Sequence, residues 1–581
     1  MVGAPDLAQL AVYFAALLLP TPFIGKYMAR VFQGEKTWLT PLVAPVEKLA
    51  YRLSGVNAQA GMNWKQYAFA LMLFNLLGFL VVLTLQLWQS HLPLNPQKLP
   101  DVPLLLALNT AVSFMTNTNW QAYSGEITLS YLVQLLGLNV QNFVSAATGF
   151  AALLALIRGL SGKGTQILGN FWVDLTRATL YVLLPFSLLF AVAFSSQGVV
   201  QSFAAYKEVV TVEAHNDTLP ASAAQVAKSS LRTQVVPLGP AASQIAIKQL
   251  GTNGGGFFGV NSAHPLENPT PLSNFLQMLA ILLLPVACVM MFGEMVRAKK
   301  HAYAVLTAMF VIFLAGLAVM LYFEYRGNPV FGGLANLEGK ELRFGVTNSV
   351  LWGAATTAAS NGSVNAMLDS FQALPGMIAM INIMLGEVIF GGVGSGLYGM
   401  LMHVIITVFL AGLMVGRTPE YLGKKIEAGE VKWAMMAIVV PSALILVGSA
   451  IGVLLPSSLS SINNSGPHGL SEILYAFSSA AGNNGSAFAG LNANTGFYNI
   501  ALSICMFLGR FAVIIPVLAI GGSMAVKKIA PQSAGTFRTD TSVFITLLVG
   551  EIIIVGGLTF FPALSLGPIV EHFLAPAARL F

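Results

Sequence analysis

Thr116-Asn117-Thr118-Asn119, Thr252-Asn253-Gly254-Gly255, Ser360-Asn361-Gly362-Ser363 and Asn483-Asn484-Gly485-Ser486 are four short polar segments of one chain. Each begins where a semi-apolar stretch ends, at 103–115, 240–251, 347–358 and 470–481. At about 12 residues, none of these stretches reaches the roughly 20 that a membrane crossing needs. Pro103 and Pro240 suit the first turn of a short helix, where the missing N–H is harmless. The four segments align as a polar residue, Asn, Thr or Gly, then a small polar residue or Gly. A long apolar run follows every one, so the repeated unit is helix, short re-entrant helix, polar strand, helix. A single Gly/Asn/Ser cluster is an ordinary turn; four in equivalent places are an internal repeat. Non-helical backbone at membrane depth persists only where protein buries it or where it lines an aqueous path. Four strands around one axis do both.

Working outward, the whole chain reads as an all-α membrane protein. Of its 581 residues only 9% are charged and 56% are apolar, with mean hydropathy +0.73. A soluble domain carries roughly a quarter charged residues, so a soluble enzyme and a disordered chain are excluded. The 29 basic and 23 acidic residues are too few for a nucleic-acid surface. Cys288 and Cys505 sit inside apolar runs and give neither a disulfide framework nor metal spacing. Ten stretches are long enough to cross: 8–24, 67–88, 130–157, 178–196, 275–293, 303–323, 376–415, 433–455, 498–522 and 542–564. The seventh is too long for one straight helix and holds a glycine cluster at 391–399, so it reads as one crossing with an unwound centre. The organisation expected is four channel-like helix–pore helix–filter–helix repeats around a pseudo-fourfold axis. They occupy 67–160, 170–300, 301–430 and 431–530. An extra N-terminal span and loop fill 1–66, and a C-terminal span fills 540–581. With ten crossings, the loops of one side hold 19 Lys and Arg, Arg417 and Lys424 among them. The other side holds nine, including Lys228, Lys248, Lys340 and Arg579. The positive-inside rule then places both termini outside. No positive charge precedes Lys26, so the start lacks the basic region of a signal peptide.

The segments contain no carboxylate, so a cation held there is held by neutral oxygens. Inward carbonyls can replace the hydration shell of a monovalent cation, and Gly254, Gly362 and Gly485 permit the positive φ this requires. Each short helix ends at its strand and points its negative dipole end that way. A divalent ion would call for carboxylates. Potassium is the ion expected, and the only metal. Below the strands, Gly391, Gly392, Gly394 and Gly396 offer an unwound plug. Glu387 and Arg510 lie inside spans, where an unpaired charge is costly, and are expected to pair at this gate. Trp120 is read as a brace of the first strand ahead of an interfacial anchor, and His264 with Glu267 as either shaping the vestibule or packing their loop. Glu126 and Glu551 are read as structural, and Glu294 as exposed. The outer segment 197–238 reads as a loop or small cap, and the charged run 417–432 as a solvated face open to a partner. With no GxxxxGK[ST] loop and no catalytic constellation, energy must come from elsewhere.

These residues carry a resemblance to a family. Thr-Asn-Thr-Asn-Trp-Gln at 116–121, Gly-Thr-Asn-Gly-Gly-Gly-Phe-Phe at 251–258 and Asn-Ser-Ala-His-Pro-Leu-Glu-Asn-Pro-Thr at 261–270 belong to it. So do the run from Gly386 to Met400, Gly-Arg-Thr-Pro-Glu-Tyr-Leu-Gly-Lys-Lys at 416–425 and Asn-Asn-Gly-Ser-Ala-Phe-Ala-Gly-Leu at 483–491. The chain resembles, nearly end to end, the KdpA family, potassium-binding and translocating subunits of bacterial Kdp potassium-transporting ATPases. That family lies in a superfamily of potassium transporters built from four channel-like repeats. One departure is Asn361, where other members have a smaller cysteine. The resemblance implies an inner-membrane complex with a P-type ATPase subunit (KdpB), KdpC and often KdpF, in contact with membrane lipids and not nucleic acid. It implies potassium binding here and passage to the ATPase subunit through an intersubunit tunnel. ATP and magnesium would sit on that partner, with no covalently bound cofactor in this chain. The alternative is a stand-alone potassium channel-like transporter or symporter of the same superfamily.

Overall fold

The computed structural model describes residues 2–215, 231–340, 342–416, 418–529 and 537–577. Lys228, Arg417 and Arg579 of the charge pattern, and residues 216–230 of the outer segment, lie outside the described residues. Among those described, ten helices are long and apolar enough to cross a membrane. They are Ala4–Gln33, Trp64–Leu87, Val133–Ser161, Phe171–Ser196, Pro271–Met295, Lys299–Glu324, Ser395–Val415, Ala428–Leu454, Gly496–Val526 and Ser542–Leu574. Their starts are written in the sequence. Asn63 accepts from the backbone N–H of Lys65 and Gln66, and Thr270, Thr495 and Thr541 each cap a later span in the same way.

The short helices are Leu104–Met115, Ala241–Leu250, Gly345–Ala358 and Gly466–Gly482. Pro103 and Pro240 are the residues just before the first helical turn, one place earlier than expected. Each unit is therefore an outer helix, a short helix, a polar strand and an inner helix. The inner helices are the buried ones: 83%, 83%, 67% and 67% of their apolar windows are inside the protein. The outer helices Trp64–Leu87 and Ala428–Leu454 have only 22% inside. Small residues allow that closeness, as where Gly159 meets the backbone of Gly521.

Two expectations need correction. The first span is longer than 8–24 and is jointed, Ala4–Leu18 and then Thr21–Gln33. Pro22 has no N–H to offer the turn before it. The seventh span resolves into Ala373–Met384 and Ser395–Val415, so the break is 385–394 rather than 391–399. Gly386 (φ +82°) and Glu387 (φ +52°) already turn the chain out of its helix, and Gly396 and Gly399 are helical. The outer segment 197–238 contains an antiparallel hairpin, Lys207–His215 against Leu231–Val236. A second, tiny hairpin pairs Glu420–Tyr421 with Lys424–Lys425 in the charged run.

Three lysines counted as loop charges are interior. Lys248 pairs with Glu267 and Lys340 with Glu324, all four side chains fully inaccessible. Lys424 Nζ donates to Gly159 O (2.8 Å) and Met524 O (2.7 Å), near the C-terminal ends of two inner helices. Unpaired helix-end carbonyls carry the negative dipole end, so a buried ammonium is compensated there.

Candidate ion-binding site

Each short helix hands over to its strand through left-handed backbone. Positive φ recurs at Thr252 and Gly254 (+50°, +80°), Ser360 and Gly362 (+53°, +90°), and Asn483 and Gly485 (+58°, +88°). In the first unit it falls at Asn117 (+65°) and Asn119 (+54°). The hydrogen bonds give the same register. Thr118, Asn253, Asn361 and Asn484 each donate their N–H to the carbonyl five residues back, at 2.8–3.1 Å, on Ser113, Lys248, Thr356 and Ser479. The first strand is therefore Asn117-Thr118-Asn119-Trp120, one residue later than the alignment by residue type placed it. Thr116 belongs to the helix end, its Oγ1 bonded to Val112 O and Thr118 Oγ1 at 2.9 and 2.7 Å. Asparagine is the side chain that best tolerates the left-handed region, so Asn119 occupies the place of Gly254, Gly362 and Gly485.

The strands close a ring in chain order. Asn117 Nδ2 donates to Thr252 O (3.0 Å), and Asn253 Nδ2 to Asn117 Oδ1 (2.6 Å). Asn361 Nδ2 reaches Lys248 O (3.1 Å), linking the third strand to the end of the second short helix. Ser360 Oγ donates to Asn483 O (2.9 Å), and Asn484 Nδ2 to Thr356 O (3.0 Å). Asn483 Nδ2 completes the circuit on Thr118 Oγ1 (2.9 Å). The glycines sit at the seams. A Cβ on Gly254 would lie 1.7 Å from Asn361 O, on Gly362 2.3 Å from Asn484 O, and on Gly485 1.8 Å from Thr118 O. Gly255 backs onto Asn119 O, and Ser363 and Ser486 are wholly buried.

Behind the ring stands a set of braces that the sequence did not single out, and Trp120, expected to be one, is instead a strand residue that is held. Ser113 Oγ holds Trp120 O (2.9 Å), Trp352 Nε1 holds Ser363 O (2.8 Å), and Tyr475 OH meets Ser486 Oγ (2.6 Å). Ser145 Oγ donates to Asn117 Oδ1 (2.7 Å). Trp120 itself is buried, so it is not an interfacial anchor. Lys248 and Glu267 form an enclosed pair beside the second strand, joined by Ser262, which donates to Glu267 (2.9 Å). A single lysine in a semi-apolar helix was the signal for it. His264 stacks on Phe258 (4.0 Å between centroids). Glu126 accepts from Gly259 N (2.8 Å), Glu551 contacts His403 (2.9 Å), and Glu294 pairs with Lys299 (2.7 Å).

The 385–394 break lies against the ends of the strands next to the short helices. Gly391 N and Phe390 N donate to Ala358 O (2.7 and 3.2 Å), and Val393 N to Thr252 Oγ1 (2.9 Å). A Cβ on Gly392 would come within 3.3 Å of Thr252 and Ser360, and one on Gly394 (φ +79°) would strike the backbone of Gly149. Glu387 and Arg510 are both buried and line one cavity of about 80 Å³ with Gly482 and Asn483. They do not form the expected ion pair. Glu387 Oε1 accepts from Asn484 Nδ2 (2.7 Å), while Arg510 Nη2 donates to Ser145 O (3.3 Å). The left-handed turn at Glu387 gives its carboxylate to the fourth strand, and Arg510 is taken by the first inner helix.

The family model for the potassium-transporting ATPase A subunit, KdpA, matches residues 11–573. A potassium-transporting ATPase potassium-binding subunit of Pseudomonas fluorescens (strain Pf0-1) is 55% identical over 572 residues, 98% of each chain. One from Sorangium cellulosum (strain So ce56) is 56% identical over 576 residues, 97% of this chain and 98% of that one. Among solved structures, the potassium transporter TrkH from Vibrio parahaemolyticus is similar at a TM-score of 0.49 and 14% identity. It covers 75% of this chain and 83% of that one, a likeness too weak to carry an argument.

Proposed function

This chain belongs to the KdpA family of potassium-transporting ATPase A subunits, and on that premise we propose that its ring of strands is a potassium selectivity filter. The observation that carries this reading is the alternation of left-handed and ordinary residues in all four strands of a closed ring without a carboxylate. Such alternation can bring successive carbonyls to one side of the chain, where a regular strand would alternate them. Neutral carbonyls facing an axis replace the water around a monovalent cation, and the four helix ends add their negative dipoles. The filter residues are then Asn117–Trp120, Thr252–Gly255, Ser360–Ser363 and Asn483–Ser486.

The ion enters from the outside, loses its water in the filter and is stopped by the 385–394 break, which acts as the gate. A pump subunit needs that block, because an open pore would dissipate the gradient. Arg510 beneath the filter repels a cation from the direct path, and Glu387 ties the gate to the fourth strand. The cavity they share is also lined by Ala437, Pro441 and Ile445 of the outer helix Ala428–Leu454. This supports sideways passage to a KdpB-like P-type ATPase subunit that binds ATP and magnesium, with KdpC-like and KdpF-like subunits completing the complex. Removing the three interior lysines leaves a loop-charge split of 18 against seven, which supports both termini on the periplasmic side of the inner membrane.

Calorimetric titration with potassium, rubidium and sodium tests the filter. Gly254→Asp should weaken potassium binding at least about tenfold, from backbone strain and a collision with Asn361 O, and should relax discrimination against the other two ions. Unchanged affinity and selectivity in variants of Gly254, Gly362 and Gly485 alike would remove the assignment. Co-elution of a P-type ATPase with the purified chain separates a pump subunit from a stand-alone transporter.

A further inference from the structure

Away from the ring, at the end of the bundle where the short helices begin, four ionisable side chains converge from three parts of the chain. His468 and Glu472 are four residues apart on the fourth short helix and so share one face. Asp369 comes from the loop after the third strand, and Glu571 from the short helix Val570–Leu574 near the chain's end. His468 Nε2 lies 2.7 Å from Asp369 Oδ1, and its Nδ1 lies 2.9 Å from Glu571 Oε1. One ligand atom each from Asp369, His468 and Glu472 fall within 4.8 Å of one another. Glu472 is fully buried and His468 nearly so.

The charges here do not balance. Two carboxylates meet the one imidazole. The third, Glu472, accepts from Asn463 N (3.0 Å) and from Asn464 N and Nδ2 (3.1 and 2.8 Å). Lys340, whose Nζ bonds Ser370 O next door, is committed to Glu324 at 3.2 Å. With His468 protonated the cluster carries a formal charge of −2, counted as three carboxylates against one imidazolium. Exchanging that proton for a dication brings it to −1.

We propose that this cluster is a binding site for a transition-metal dication, with zinc the ion its donors fit best. Asp369 Oδ1, His468 Nε2 and a Glu472 carboxylate oxygen are the three protein ligands. Imidazole nitrogen and carboxylate oxygen are both zinc ligands, whereas calcium and magnesium prefer oxygen alone. Glu571 on the other ring nitrogen supplies the carboxylate that orients a metal-binding histidine and raises its basicity. The metal takes Nε2, any proton there leaves to solvent, and Nδ1–H still donates to Glu571. The site also has a mechanical consequence. Asp369 N bonds Phe488 O, two residues past the fourth strand, at 2.6 Å, so the metal ties the loop behind strand three to the helix before strand four.

The test uses the full chain, purified in detergent without metal and titrated calorimetrically with zinc. One zinc should bind per chain, with affinity that falls as the pH drops and the ligands protonate. Asp369→Asn and Glu472→Gln should each weaken binding at least about tenfold, and Glu571→Gln about 10- to 100-fold while leaving all three ligands in place. If a ligand variant does not fold, Glu571→Gln carries the test. No saturable binding by the wild type, or affinity unchanged in the folded variants, would each overturn the site.

Discussion

The first and third repeats build the same left-handed strand and then diverge. After the first strand the inner helix Val133–Ser161 runs without a break, whereas after the third the chain forms Ala373–Met384, opens at 385–394 and resumes at Ser395. The second repeat is different again, with an enclosed Lys248–Glu267 pair where the first, third and fourth have Ser113, Thr356 and Ser479 at the equivalent helix position. What repeats four times is a backbone conformation. What occurs once is a support or an interruption, and single-copy features are where a fourfold scaffold can acquire a direction and a stop.

The largest effect should come from removing the interruption. Excising Gly391–Gly394 takes away the backbone that rests on Ala358 O and Thr252 Oγ1 and makes the third repeat more like the first. Potassium flux into liposomes without ATP should rise at least about tenfold, because the axis below the strands then lacks its plug. Arg510→Ala in the intact chain should instead impair coupling without opening the path as far. A loop-deleted protein that still binds potassium and stays tight would show that the break is not the gate.

Next in size is the second repeat's brace. Glu267→Gln leaves the Lys248 ammonium enclosed without its counter-charge, which costs about 3–5 kcal/mol. Thermal unfolding in detergent should move down by several degrees, while Ser113→Ala, at the matching place in the first repeat, removes one hydrogen bond worth about 1 kcal/mol. Pairing Lys248→Met with Glu267→Leu should recover much of the loss, since two apolar groups of similar volume leave no buried charge behind. Equal shifts for Glu267→Gln and Ser113→Ala would mean that Lys248 is solvated or neutral.

The difference between repeats also explains what could be read without coordinates. The ten spans and the four short helices were legible because membrane thickness turns apolar length into a structural ruler, and the four polar segments that meet in the ring interrupt that pattern visibly. The register of the first strand was not, because Thr-Asn-Thr-Asn offers two frames and residue type favours the wrong one. The decisive property is tolerance of positive φ, which Asn119 shares with Gly254 although their side chains differ. The start of the break was misplaced for a related reason: the dense glycines at 391–399 drew attention, while Gly386 and Glu387 do the turning. Pairings were the least legible. Glu387 and Arg510 share a cavity yet bond to other groups, and Lys248 finds Glu267 across 19 residues, because such choices depend on where side chains arrive in three dimensions.

The smallest effect tests the equivalence of Asn119 with the three glycines. Asn119→Gly keeps left-handed backbone available and loses only the bond from Asn119 Nδ2 to Asn142 Oδ1, 2.6 Å long and buried. That bond is worth about 1 kcal/mol, so potassium affinity should change by no more than about fivefold. Asn119→Ala adds about 1 kcal/mol of left-handed strain. Asn119→Val should be worst, since a β-branched side chain is a true outlier at positive φ. Calorimetric potassium affinities should therefore fall in the order Gly, Ala, Val. An Asn119→Val protein that binds as well as Asn119→Gly would mean that position 119 is not held left-handed, and the first strand would have to be aligned from Thr116 after all.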